Sequence, residues 1–119
     1  MDMKLFDSEL KVMDILWREG DLTAGQISKI LKTEIGWSRN TTYTVIKKCV
    51  EKGAVERLEP KFLCRAVISR EDVQQYETQE LIDRMFDGSK EKFFATFLSG
   101  KTLRPDELQQ LKDLVSQIK

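Results

Sequence analysis

Apolar side chains recur at helical spacing in six stretches of the chain and alternate weakly in two more. Leu10, Met13, Leu16 and Trp17, widened by Val12 and Ile15, predict a first helix. Asp7 or Ser8 is placed to cap it, and Gly20 and Asp21 stop it after Glu19. Thr23 and Gln26 have capping-box spacing, with Leu22 and Ile27 placed as the hydrophobic staple. A second helix is expected from there to about Lys32, burying Ile27, Ile30 and Leu31. Trp37 is expected as a core anchor opening a third helix, which Ser38 caps and Gly53 ends in a left-handed conformation. Residues 54–58 and 62–68 read as two strands around the turn Glu59-Pro60-Lys61, where proline interrupts pairing.

Three further helices follow. Ser69 and Asp72 open one that carries Val73, Tyr76, Leu81, Ile82, Met85 and Phe86 and ends at Gly88. Ser89 caps a short helix with Phe93, Phe94, Phe97 and Leu98, closed by Gly100. Pro105 suits the first turn of the last, where Asp106 and Glu107 complement the positive helix end. Its stripe is Leu108, Leu111, Leu114, Val115 and Ile118.

Helix, turn, helix and then a two-stranded ribbon is the winged-helix layout. The expected fold is mostly α with a small β-hairpin wing: an N-terminal winged helix-turn-helix over residues 1–69 and a C-terminal helical dimerisation domain over 70–119. The second block is more apolar than three small helices can bury alone, and units of that size rarely fold unaided. A twofold dimer pooling the apolar faces solves this; packing back onto the chain's own winged helix is the competing arrangement.

The third helix divides into two faces. Val45, Ile46 and Cys49 make a buried stripe, with Thr41 and Thr42 beside it. Arg39, Asn40, Tyr43, Thr44, Lys47 and Lys48 face outward, and this outer face is read as carrying no carboxylate. Phosphate oxygens and base edges call for that mixture, because Arg, Lys and Asn donate while an acid would repel the backbone. The reading is a DNA-recognition helix. The contact set is Arg39, Asn40, Thr42, Tyr43, Thr44, Lys47 and Lys48, with Arg57 and Lys61, joined by Arg65, reaching flanking phosphates from the wing. A solvated helix and an ordinary edge hairpin are the plainer readings.

Charge supports the sharper one by its distribution. The formal total is zero, but residues 35–65 hold seven basic against three acidic side chains, net +4 between two flanks of −2. Neither a membrane span nor a signal peptide is evident, so a cytoplasmic protein without membrane insertion is expected. Two cysteines, Cys49 and Cys64, are too few for a disulfide framework and are expected reduced. The absence of histidine removes the commonest general base and metal ligand. The carboxylates are scattered at helix-surface spacing, so no enzyme, metal or cofactor is expected.

The sequence resembles the penicillinase-repressor family (BlaI/MecI type) across nearly its whole length. The resemblance rests on the opening run from Ser8 to Trp17, on Trp37-Ser38 with Thr41 and Thr44, on the Lys52-Gly53 step into the wing, and on the ending from Leu103 to Leu114. It implies a bacterial homodimeric repressor with winged helices in successive major grooves of an inverted-repeat operator and interlocked C-terminal helices. It also implies a membrane-bound sensor, acting as protease or through an effector, that triggers a cut before a phenylalanine. Thr96-Phe97 matches that bond, although the family more often has Asn before it; a purely core Phe97 is the alternative. Related copper repressors (CopY type) carry a C-terminal cysteine motif, and this chain has no cysteine after Cys64. A protein-interaction adaptor in a transcription assembly is the second functional reading; it predicts exposed apolar residues on the outer face of the third helix.

Overall fold

The computed structural model describes residues 4–100 and 103–118. The chain divides into two compact units, Met1–Glu77 and Thr78–Lys119. Elements of the first are α1 (Asp7–Glu19), β1 (Leu22–Thr23), α2 (Ala24–Ile35), α3 (Arg39–Glu51), β2 (Val55–Leu58), β3 (Leu63–Ala66) and the opening turns of α4 (Arg70–Phe86). The sheet is antiparallel in the order β1-β3-β2, with Leu22 opposite Cys64 and Val55 opposite Ala66. The wing hairpin was legible from its turn. β1 was not, because two residues cannot display alternation; its pairing continues as Ala24 N–H donates to the Phe62 carbonyl at 3.0 Å.

The three N-terminal helices bury Val12, Met13, Ile27, Leu31, Ile46 and Cys49 almost completely. Each large aliphatic side chain so buried stabilises by about 1.5–3 kcal/mol. Thr23 and Gln26 form the expected box, the Thr23 Oγ1 accepting from Gln26 N–H and Gln26 Oε1 accepting from Thr23 N–H. At α1 the expected cap is replaced. Phe6 occupies the N-cap, and Glu9 reaches back to accept its N–H at 2.7 Å. Glu9 is only 1% exposed and is paired with Lys52 Nζ at 2.6 Å. Lys52 also donates to the Lys4 carbonyl at 2.8 Å and lies 4.3 Å over the Phe6 ring. This pair clamps the start of α1 to the end of α3.

The compact first unit extends beyond residue 69, because the start of α4 packs on it. Val73 belongs to the core, Arg70 lies over the Trp17 ring, and Glu77 pairs with Lys4. Trp17 is itself held by its indole N–H donating to the Ile68 carbonyl at 2.9 Å.

The second unit comprises the rest of α4, α5 (Lys90–Ser99) and α6 (Pro105–Ser116). Ser89 caps α5 and Pro105 begins α6, as their chemistry predicts. Phe93 meets Phe86 and Phe94 edge-on and stacks on Phe97. Ile82 is nevertheless the one buried side chain among the described residues of this unit. Phe94, Phe97, Leu98, Leu108, Leu111 and Val115 line an apolar groove of about 370 Å³ between α5 and α6. Among the described residues no helix is long and apolar enough to cross a membrane.

Candidate nucleic-acid interface

Gly36, with φ 75°, turns the chain out of α2, and Trp37 N–H donates back to the Leu31 carbonyl. Trp37 is half-buried against the core, as its place before the cap suggests. Ser38 caps α3: its Oγ accepts from Thr41 N–H at 3.2 Å and donates to Thr41 Oγ1 at 3.0 Å. That bond keeps Thr41 at the exposed surface, so only Thr42 joins Val45, Ile46 and Cys49 inside.

Thr42 must therefore leave the set of contact residues. It is 0% exposed, and its Oγ1 has no hydrogen-bond partner among the described residues. A buried hydroxyl without a partner costs about 1 kcal/mol or more. Thr42→Val should leave the urea midpoint unchanged or raise stability by about 1 kcal/mol, with duplex affinity unaltered in a gel shift. A loss of affinity at full stability would mean that Thr42 does touch the ligand.

Arg39, Asn40, Thr44, Lys47 and Lys48 are exposed on the opposite side of α3. No carboxylate pairs with Arg39, Lys47 or Lys48 among the described residues. The face is not acid-free to its end, however. Glu51 is exposed in the last turn, four residues after Lys47 and so on the same side. The donor-rich surface is confined to residues 39–48, the N-terminal three turns.

Tyr43 is half-buried, not a free platform. Its ring meets Phe62 edge-on at 5.8 Å, while the Arg39 guanidinium lies 4.7 Å over it and donates to its hydroxyl at 2.8 Å. Tyr43 thus joins α3 to the turn of the wing and holds Arg39 in place. In the wing, Arg57 covers Phe62 at 3.7 Å and pairs with Glu59, and Arg65 pairs with Asp21 at 3.0 Å. Lys61 is exposed in the turn. The basic window therefore overstates the free charge: Lys52 points inward to Glu9, and two wing arginines have acidic partners. Exposed pairs of this kind are worth little and exchange readily for phosphate contacts.

Cys49 and Cys64 are free and buried. Burial pushes their thiols up to about 12 and about 11, so both are neutral, small apolar packing groups. No group of side chains able to hold a metal occurs among the described residues.

Three helices, a short third strand and a hairpin beside a solvent-facing α3 define a winged-helix protein. The penicillinase repressor family model matches residues 5–117, and the chain belongs to that family. It is a family of transcriptional repressors, not of enzymes. Similar proteins include the penicillinase repressor of Bacillus licheniformis, 22% identical over 118 residues, covering 98% of this chain and 92% of the relative. The methicillin resistance regulatory protein MecI of Mammaliicoccus sciuri is also 22% identical, over 122 residues, covering 98% and 99%. The solution structure of the DNA-binding domain of the repressor BlaI matches with a TM-score of 0.54 at 25% identity, covering 58% of this chain and 87% of that one.

Proposed function

We propose that this protein represses transcription by binding an inverted-repeat operator in duplex DNA as a twofold dimer. The observation that carries the reading is the N-terminal face of α3, where Arg39, Asn40, Thr44, Lys47 and Lys48 stand exposed together without an acid. In helix-turn-helix docking the N-terminal residues of the second helix contact base edges; Glu51, at the far end, is then clear of the groove. Arg39, Asn40 and Thr44 supply donors for base edges, as Arg does for guanine and Asn for adenine. Lys47 and Lys48 take phosphates, and Arg57 and Lys61 do so from the wing. Tyr43 serves by presenting Arg39 and bracing the wing.

Lys47→Ala should weaken binding equally on all sequences and make the salt dependence shallower by about one in slope. Asn40→Ala should instead relax specificity at one base position, at about 1–3 kcal/mol. Gel shifts on selected and random duplex at two salt concentrations separate the two effects; equal losses on both duplexes for both variants would overturn the assignment. Selection from random DNA should return a palindrome with half-sites about one helical turn, or a multiple, apart.

The exposed groove of the second unit supports pairing of two chains through their C-terminal helices. Thr96 and Phe97 are exposed within α5, and Phe97 lines the groove. A sensor-triggered cut between them would detach α6 and so undo the pairing. The adaptor reading needs apolar side chains on the outer face of α3, and no exposed residue there is apolar.

A further inference from the structure

Phe62, in the wing turn, has an unusual backbone. Its φ is 53°, in the left-handed region that a bulky side chain rarely adopts. Asp87, the other non-glycine residue with positive φ among the described residues, is of a type that tolerates it. Glycine or asparagine would suit the backbone at 62 better. Conformations of this kind persist where the surroundings hold the residue, and they cluster at functional positions. The surroundings here act on the ring and the carbonyl. The ring meets Tyr43 edge-on at 5.8 Å, the Arg57 guanidinium lies 3.7 Å from its centre, and the carbonyl accepts from Ala24 N–H at the start of α2.

Tyr43 passes this constraint on. Its hydroxyl lies against the first turn of α2, where a Cβ on Gly25 would be 3.8 Å away, and it accepts from Arg39 at 2.8 Å. A guanidinium has five N–H donors, so enough remain for the paired donation that reads guanine. An exposed arginine otherwise samples many rotamers, and ordering them on binding costs affinity. Held to Tyr43, Arg39 is directed before it meets a base. We infer, on the DNA-binding reading above, that Phe62 is a specificity-determining positioning residue: without a base contact of its own, it fixes through Tyr43 the direction in which Arg39 reads a base. Wing and recognition helix then share one determinant of sequence preference.

The test uses the full chain on a duplex selected from random sequence, on its single-base variants and on random duplex. Arg39→Ala marks the base pair concerned, where preference should fall by about 5- to 100-fold. Phe62→Leu keeps an apolar side chain and the same backbone burden but removes the ring. It should lower preference at that pair alone by about three- to tenfold. Preference at the pair marked by Asn40→Ala, affinity for random duplex and the salt slope should stay as in the parent. Phe62→Tyr, which keeps the ring, should retain the preference; Tyr43→Phe, which loses only the hydroxyl, should lower it at the same pair by a smaller factor. In the Arg39→Ala background, Phe62→Leu should have no further effect there. A Phe62→Leu variant that keeps the parent's preference, loses affinity evenly on every duplex, or acts as strongly in the Arg39→Ala background would overturn the positioning role while Lys47→Ala still reports DNA binding. Where Phe62→Leu lowers the urea midpoint, Tyr43→Phe decides, and unchanged preference in that variant would overturn the role as well. Failure of the parent chain to bind any duplex would overturn both readings.

Discussion

Lys52→Met should lower the unfolding free energy by about 3–5 kcal/mol, because it strands the Glu9 carboxylate inside the protein without its cation. Glu9 is 1% exposed, and the loss of a buried partner leaves the full desolvation penalty in place. Against a total stability of about 5–15 kcal/mol for a domain, the variant should be partly unfolded at ordinary temperature. Glu9→Gln combined with Lys52→Met should recover most of the loss. The glutamine oxygen can still accept from Phe6 N–H at the start of α1, and the methionine places an apolar end where the Lys52 ammonium lies over Phe6. Urea unfolding of the parent and of these two variants tests both expectations. If Lys52→Met instead left the urea midpoint alone and reduced the salt slope of DNA binding, Lys52 would be a phosphate contact and the clamp between α1 and α3 would be unimportant.

The second large effect concerns pairing. Phe94→Glu with Val115→Glu places two carboxylates in the apolar groove of the second unit, at positions 52% and 64% exposed. Substitutions at such exposed positions should leave the chain folded. The parent should sediment as a dimer and the variant as a monomer. Joining two half-site interactions makes the second effectively intramolecular, so operator affinity should fall by about 10²- to 10⁴-fold. Random duplex has no inverted repeat to engage two winged helices at once, so binding to it should change far less. A variant that remains dimeric, or a monomer that holds the operator as tightly as the parent, would show that the groove is not where two chains meet.

Local chemistry made most of the fold legible. Ser38, Ser89, the Thr23/Gln26 box, Pro105 and the glycines at 53 and 88 mark element ends through backbone needs that only a few side chains meet; α2 runs to Ile35, past the expected end at Lys32, and stops at Gly36. The same residues could not reveal which side chains leave the surface. Thr42 and Thr44 have identical chemistry, and only the packing of α1 and α2 on α3 buries one and exposes the other. Glu51 lies on the outer face by spacing alone, four residues after Lys47.

The order of helices and strands, the solvent-facing cations of α3 and the apolar excess of the C-terminal helices are properties of the amino-acid sequence itself, because spacing and capping act over three or four residues. Tertiary structure alone decided that Lys52 neutralises Glu9 instead of facing a ligand, that Tyr43 braces Arg39 and Phe62, and that Thr42 is buried while Thr44 is exposed. Those outcomes depend on side chains as much as 43 positions apart, from Glu9 to Lys52, and long-range proximity carries no periodicity along the chain from which it could be read.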